Sequence, residues 1–432
     1  MSTLALDDGP APARGGTFSS LRQRNFRLFF GGQLISQTGN WLTLIAQTLL
    51  VLKLTDSGLA LGLLAAAQFG PVLLLGAWAG LVADRSDKRR LLMIVQSFAM
   101  LQSFVLAALA FMDSPPIGWV YVVAVFGGIA TAFDNPARRA FVVEMVPLSD
   151  VQNAVSLNSA LMTGSRIVGP ALAGLLISTV GFGWCFALDG VSYLAVLAGL
   201  WFMHPDELRP APVSPRGKGQ VRAGLRYVVS MPELRVPLVM MAIIGTFTFN
   251  FNVVMPLLIQ RTLGGDDGTF TLVYSVLSVG SLVGALVSAR RTSIGVRAVA
   301  VSAAAFGGSM LLLAATPNLA ATFPIGLLVG FTSIAFMTSS TAIVQLRSDP
   351  MMRGRVLALQ AMVFLGSTPI GGPILGVICE VIGPRAGVFI GGIAAVGAGL
   401  YGWIVARRMA GTAPASRRRV EQPAVGLAGP VS

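Results

Sequence analysis

Apolar positions in this chain come in long unbroken runs, not in the one-faced or alternating patterns of a soluble fold. A helix that crosses a bilayer needs about 20 apolar residues. Twelve runs meet that need, at roughly 28–52, 59–83, 91–112, 117–137, 154–180, 184–203, 237–260, 270–289, 297–316, 319–343, 356–382 and 386–406. They are long and lack strict alternation, so helices are predicted and a barrel is not. The segments between them hold nearly all the charge. With the N-terminus placed inside, 27 of the 31 Lys and Arg residues fall on the cytoplasmic side. Lys53, Arg261 and Arg385 fall outside, and Arg166 alone lies within a span. The positive-inside rule therefore predicts twelve spans with both termini cytoplasmic, whereas eleven or thirteen would scramble the alternation.

Composition supports this and excludes other classes. Hydrophobic residues make up 54% of the chain and charged residues 11%, against about 25% charged in ordinary soluble proteins. A soluble fold of this length has no way to cover its surface with so few charges, so lipid is the solvent and the bilayer is a partner. The net charge of +13 would suggest nucleic acid in a soluble protein. Here the basic residues sit in short clusters between apolar runs, without interleaved aromatics, and no nucleic-acid partner is expected. Cys185 and Cys379 lie inside apolar runs and form no CxxC, which makes them buried thiols. The N-terminal residues carry Asp7 and Asp8 and no apolar signal core. No phosphate-binding GxxxxGK[ST], HExxH or GxSxG is present, so an enzyme, a metal site and a cofactor are not expected. His204, beside Pro205, reads as an interfacial residue.

The expected organisation is a cytoplasmic tail over 1–24, a six-helix bundle over 25–204, a cytoplasmic linker over 205–235, a second bundle over 236–408 and a tail over 409–432. In the linker Val221, Leu225, Val228 and Val229 share one helical face, with Arg222 and Arg226 near its polar edge. That pattern fits a short helix lying on the anionic inner leaflet, or a plain tether between the halves. The halves also look like copies. At an offset of 202, Leu157, Gly164, Ser165, Gly169, Gly174 and Gly181 meet Leu359, Gly366, Ser367, Gly371, Gly376 and Gly383, and Asn158 meets Gln360. Parallel six-helix repeats related by an axis along the membrane normal are a transporter architecture. Small residues at four-residue spacing, Ser165-Gly169-Ala173, Gly280-Gly284-Ser288, Gly76-Gly80 and Gly372-Gly376, mark faces where backbones approach and slide, or pack statically. Pro170 and Pro373 remove backbone donors mid-span, where a helix can bend.

Several motifs carry a resemblance. Gly80-Leu-Val-Ala-Asp84-Arg85-Ser-Asp87-Lys88-Arg89-Arg90 resembles the loop between helices two and three of the major facilitator superfamily, with Asp87 where that motif usually has Gly. Ser165-x3-Gly169-Pro170-x2-Ala173-Gly174 resembles the fifth-helix motif of its exporters. Phe133-Asp134-Asn135-Pro136-Ala137-Arg138-Arg139-Ala140-Phe141, Asn153–Asn158, Arg353-Gly354-Arg355-Val356 and the Gly366–Pro373 run resemble the branch containing the bacterial enterobactin exporter. The resemblance spans about residues 20–408. It implies twelve helices in two pseudo-symmetric bundles, an all-α membrane protein of a bacterial inner membrane. Gly80, Asp84, Arg85, Arg89, Arg138, Gly169, Pro170 and Gly174 become candidate gate residues. Asp84 is expected to pair with Arg85, Arg89 or Arg138, or to cap the start of span eleven near Arg353, as a latch that forms in one conformation.

Charges at bilayer depth cost at least about 2.5–3.5 kcal/mol each and so ask for partners or a wet cavity. Asp189, Asp134 and Arg166 are the candidates for proton coupling. Arg166 and Asp189 are placed to pair, as structure or as coupling. Asp134 and Arg138 suit an i,i+4 pair, and Glu380 and Arg385 an outer-interface pair. Gln37, Asn40, Trp41, Asn158, Asn250, Asn252, Gln345 and Gln360, with Phe247, Phe249 and Phe251, are expected to form an aromatic–amide cargo pocket at the midplane. The reading is a monomeric secondary transporter using protons to export an amphipathic small molecule, such as a siderophore, an antibiotic or another secondary metabolite. Nutrient import by the same fold and a non-transporting membrane sensor or scaffold are the alternatives. Single cysteines placed at residues 210 and 56 are expected to react with impermeant maleimide from opposite faces. Labelling of both from one side would remove the twelve-span topology.

Overall fold

Lipid offers no hydrogen bonds, so each apolar run closes its backbone on itself as a helix. The computed structural model describes residues 16–210, 220–288 and 295–412. Arg14, Arg216, Lys218, Arg290, Arg291 and Arg417–Arg419, all used in the topology argument, lie outside these, as do the side chains of Val221 and Arg222. The first half comprises α1 (Arg24–Thr55), α2 (Gly58–Arg85), α3 (Lys88–Ala110), α4 (Ile117–Glu144), α5 (Val151–Thr179) and α6 (Phe182–Trp201). A short α7 (Gln220–Ser230) leads to the second half: α8 (Pro232–Phe247), α9 (Phe251–Leu257), α10 (Asp267–Ser288), α11 (Val296–Ala314), α12 (Leu319–Arg347), α13 (Pro350–Val381) and α14 (Pro384–Thr412). Among the described residues there is no strand.

Eleven of the spans are long and apolar enough to cross a membrane by composition alone. The remaining one, α1, is long enough at 32 residues but carries Gln33, Gln37, Asn40, Thr43, Gln47 and Thr48. Protein surrounds it: α5 and α6 pack against it and α2 and α4 also touch it. The seventh span is not the single helix the hydropathy predicts. It breaks at Thr248–Asn250 between α8 and α9, and ends in a π-helical turn, Leu258–Thr262. Thr248 Oγ1 donates to the Gly391 carbonyl at 2.8 Å, and Asn250 Nδ2 donates to the Thr246 carbonyl at 2.8 Å. Non-helical backbone is tolerated at this depth because those groups are satisfied inside the protein.

The helix pairs of one half recur in the other. α1–α6 matches α8–α14, α2–α4 matches α10–α12, and α3–α6 matches α11–α14. The turns after α5 and α13 each carry a left-handed glycine, Gly181 at φ 87° and Gly383 at φ 120°. These two positions are one of the pairs at offset 202. Between the halves, α2 lies on α13 and α5 lies on α10, again a symmetry-related pair of contacts.

Among the described residues, the closest backbone approaches between the halves lie toward one end, with side-chain contact continuing to Leu73 beside Gly366. Call the face bearing the start of α1 proximal and the other distal. Distally, Gly62 abuts the Gly372 carbonyl, so that a Cβ at Gly62 would lie 2.5 Å from that oxygen and 2.7 Å from Pro373 Cα. Gly58 meets Gly376 likewise, and Gly174 meets Thr271 of α10. One hydrophobic core runs through both halves here, from Leu49, Leu61 and Phe186 to Met255 and Phe270. Proximally the cores part. Phe26, Phe29, Leu92 and Phe141 form one, while Val228, Leu234, Val344 and Val356 form another. Gly76, Gly80 and Gly354 face open space. The tight backbone contacts between the halves are therefore distal, and none forms at Gly76 or Gly80.

In α7, Val228 is buried in the second of these proximal cores, against Leu234 and Val356, while Leu225 and Val229 are exposed. The predicted common apolar face is thus split, with α7 seated on α13. Overpacking a tight helix crossing costs about 1–3 kcal/mol. Gly62→Val is expected to lower the unfolding free energy in detergent by that amount, with Gly80→Val unchanged. Equal effects would mean that the halves do not touch distally as described.

Candidate functional site

The polar residues of α1 recur at helical spacing, Gln33, Gln37, Asn40 and Gln47, and so line one face. That face borders a cavity of about 240 Å³ inside the first half, between α1, α2, α3, α4 and α5. Gln37, Asn40, Trp41, Thr43 and Gln47 come from α1, Gln68 from α2, Gln102 from α3, Thr131, Asp134, Asn135 and Arg138 from α4, and Met162 from α5. The amides tie to one another and to backbone. Gln68 Nε2 donates to Gln47 Oε1 at 2.9 Å, Gln37 Nε2 to Gln33 Oε1 at 3.0 Å, and Gln47 Nε2 to the Val120 carbonyl at 3.2 Å. Tyr193 of α6 donates its hydroxyl to Asn40 Oδ1 at 2.7 Å.

At the proximal end of the cavity Arg138 Nε donates to Asp134 Oδ2 at 2.9 Å, one helical turn apart as the sequence spacing predicts. Gln96 Nε2 donates to Asp134 Oδ1 at 2.7 Å, and Arg138 Nη2 donates to Asn135 Oδ1 at 2.9 Å. The charge of Arg138 is thus neutralised beside the cavity.

Asp189 of α6 is fully buried behind α1. Its Oδ2 accepts the Thr43 hydroxyl at 2.6 Å and the Ser103 hydroxyl at 2.7 Å, and its Oδ1 faces the Ser192 hydroxyl at 3.4 Å. These hydroxyls belong to α1, α3 and α6, so one carboxylate gathers three helices. Among the described residues no cation lies within ion-pair distance of it. The expected Arg166–Asp189 pair does not form, and the reason is α1 itself. Gly39 and Thr43 face Asp189, whereas Trp41, on another side of the same helix, carries the Arg166 guanidinium 5.6 Å above its ring.

The expected pocket is only partly assembled. Gln37, Asn40 and Trp41 line the cavity, and Asn158, Asn250, Asn252, Gln345 and Gln360 do not. Asn250 closes the backbone break of the seventh span. Gln360 is buried and donates to the Ser340 hydroxyl at 3.2 Å, Asn158 and Asn252 are half-buried, and Gln345 is exposed. Phe249 packs edge-on against Phe364 with ring centroids 5.1 Å apart, in the core of the second half. Gln47, Gln68, Gln102, Thr131 and Asn135 were not anticipated. For Gln47 the continued amide spacing on α1 was the available signal.

The candidate gate is unlatched. Asp84 and Arg85 are exposed, and among the described residues Asp84 has no ion-pair partner. Arg89 donates to the Leu200 and Trp201 carbonyls at 2.6 and 3.0 Å, and Arg138 is engaged by Asp134. Span eleven is capped by its own Asp349, which accepts from Met351 N at 2.8 Å. Asp87 caps α3, accepting from Arg90 N at 3.1 Å, which accounts for Asp where the loop motif usually has Gly. A buried Lys88–Glu144 pair at 2.8 Å fixes the start of α3 to the end of α4. Distally, Gly169 and Pro170 are buried, with Gly169 against Trp41 and the Thr38 carbonyl and Gly174 against α10.

Glu380 does not pair with Arg385. Arg385 donates to the Ala314 and Thr316 carbonyls at 3.1 and 2.8 Å. Glu380 Oε2 instead lies 3.2 Å from Arg261 Nη1 and accepts from Gly58 N at 2.6 Å, while Arg261 Nε donates to Asp56 Oδ1 at 2.9 Å. This cluster ties the α1–α2 turn to α13 and to the end of the seventh span. Cys185 and Cys379 are free and buried, as expected. His204 is held by Arg24 and Glu207, and its backbone N–H donates to Asn25 Oδ1 at 3.0 Å.

This geometry has relatives. A family model described as transmembrane secretion effector matches residues 15–428. The staphyloferrin A transporter of Staphylococcus aureus (strain NCTC 8325 / PS 47) is 24% identical over 83% of this chain and 90% of its own. The multidrug efflux pump Tap of Mycolicibacterium fortuitum is 26% identical over 82% and 88%, and the macrolide efflux protein A of Streptococcus pyogenes 22% over 80% and 87%. Among solved structures, a POT family transporter in complex with a thioalcohol-conjugated peptide superposes with a TM-score of 0.71 at 11% identity, covering 91% of this chain and 99% of that one. A bacterial homolog of the human lysosomal transporter Spinster, inward-facing and occupied, gives 0.69 at 15% identity over 92% and 98%. The shared fold, the long apolar helices and the match over nearly the whole length agree: the chain belongs to the transmembrane secretion effector family of the major facilitator superfamily, and is a membrane transporter.

Proposed function

We propose that this transporter exports an amphipathic small molecule in exchange for protons. One observation carries the reading. Thr43 lines the cavity and also donates its hydroxyl to Asp189. An antiporter must load proton and cargo in alternation, and Thr43 is a single group that touches both candidate sites. As a carboxylate, Asp189 accepts hydroxyls from α1, α3 and α6. Once protonated it accepts fewer, and α1 loses part of its hold on α3 and α6. A charge change at one buried acid thereby biases the packing of the helix that borders the cavity. Asp134, tied to Arg138 and Gln96, is the second coupling candidate. The efflux proteins among its relatives support the outward direction.

The proximal face is the cytoplasmic one in this reading, by the distribution of Lys and Arg. The loosely joined end is then the inward one, with both termini in the cytoplasm of a bacterium and the spans in its inner membrane. The halves are residues 25–204 and 236–408, joined by 205–235, and one chain contains the whole cavity, so a monomer suffices. The unlatched Asp84–Arg89 loop fits this conformation. Closure would bring Gly76 and Gly80 of α2 against α13, as Gly62 already lies against Gly372.

In cells, a strain lacking the chain is expected to retain its cargo when challenged with a panel of siderophores and antibiotics, and an uncoupler is expected to have the same effect on the wild type. In proteoliposomes, Asp189→Asn is expected to abolish uphill, proton-driven movement while preserving downhill exchange, and Thr43→Val to slow the uphill step about tenfold, as loss of one hydrogen bond to a charged group predicts. Uphill export by Asp189→Asn at the wild-type rate would remove Asp189 from coupling. Cargo accumulating on the side to which protons flow would make the protein an importer.

A further inference from the structure

Arg166 remains after the cavity, the coupling carboxylates and the gate have been assigned. It lies in mid-membrane, about 22 Å along α5 from its first residue at 1.5 Å per residue. Among the described residues no carboxylate lies within ion-pair distance of it. Its Nε is buried without a hydrogen-bond partner. Its neighbours are aromatic and neutral: the guanidinium sits 5.6 Å from the Trp41 ring and donates to the hydroxyl of Tyr274 of α10, which compensates no charge. The cation–π contact orients the guanidinium without neutralising it.

The other charges near the cavity are not available to Arg166. Asp134 is taken by Arg138 at 2.9 Å, and Asp189 is turned away behind α1. A cation kept unpaired at bilayer depth is costly, and such residues mark a pathway or a ligand. Arg166 is not itself in the cavity wall, but it adjoins two residues that are. Trp41, on which the guanidinium rests, lines the cavity, and so does Met162, one turn before Arg166 on the same helix. The opposite wall is amides, which donate and accept but carry no charge. The site thus offers one uncompensated positive charge at one edge and neutral hydrogen-bonding groups elsewhere. Arg166 lies too deep for a lipid headgroup.

We propose that Arg166 is the anion-recognising group of the cargo site, so that the cargo is an amphipathic molecule bearing a carboxylate, seated on the guanidinium with its neutral hydroxyl or amide groups toward Gln37, Asn40, Gln68 and Gln102. The planar guanidinium fork matches a carboxylate, and such charge-assisted bonds are about twice as strong as neutral ones. The carboxylate supplies the negative charge that the fold withholds. This inference rests on the export reading for the role of the cavity, but it is tested without transport.

The test uses the full chain in nanodiscs and three fluorescent probes with the same rings, 1-naphthylacetate, 1-naphthylacetamide and 1-(1-naphthyl)ethylamine, which are anionic, neutral and cationic. The wild type is expected to bind the acetate at least about tenfold more tightly than the amide, and the amine most weakly. Arg166→Gln is expected to bring the acetate-to-amide ratio to about one, and Arg166→Lys to restore part of it. Equal binding of the three probes, preference for the amine, absence of acetate binding, or an unchanged ratio in Arg166→Gln would overturn the inference. The wild-type ratio decides alone should the glutamine variant not assemble. Anion preference without uphill efflux would overturn the export reading and keep this one, and uphill efflux of a neutral cargo without anion preference would do the reverse.

Discussion

A polar group inside a bilayer has no water to turn to, and the architecture of this chain follows from where its polar groups go. In the first half most of the buried amides and the buried Asp189 sit on or around α1. That helix is too polar to cross alone, so the rest of the first half is built as its solvent. One side of α1 supplies Thr43 to the buried Asp189. Another carries Trp41 and, on it, Arg166. The amides next to Trp41 line the cavity with it. The helix therefore keeps the buried acid apart from the cavity, while Trp41 stands both in the cavity wall and under the Arg166 guanidinium.

The contact between the halves obeys a different constraint. Where α2 meets α13 and α5 meets α10, glycine removes the side chains, and the backbones approach directly. Such a seam has little to lock it, which suits surfaces that must separate. Further along α2, toward the proximal face, Gly76 and Gly80 have no such close neighbour. A seam tight at one end and loose at the other is what a rocking transporter presents in one of its conformations.

The spans were legible in the sequence because a lipid-facing helix has only hydropathy to satisfy, and the observed ends differ from the expected ones by a few residues. The Asp134–Arg138 pair was legible because it is local, fixed by one turn of helix. The misassignments are all matters of tertiary arrangement. Arg166 and Asp189 lie at similar depth on consecutive spans, yet α1 stands between them. Glu380 has Arg385 near in sequence, but Arg261 and Gly58 nearer in space. The break in the seventh span is invisible to hydropathy, since Phe249 and Phe251 are as apolar as any helical residue. The cavity was half legible: its α1 face shows in the amide spacing, while Gln68 and Gln102 are single polar residues in otherwise apolar helices.

That break has a mechanical meaning. A continuous helix moves as a rod, so displacement at one end is felt at the other. The interruption at Thr248–Asn250 divides the seventh span into two short levers with a pivot between them. The distal lever ends at Arg261, whose guanidinium reaches Asp56 across the boundary between halves. In the proposed exchange cycle, the distal segment could then swing to release that grip while the proximal one stays seated, the pivot being already cut into the backbone.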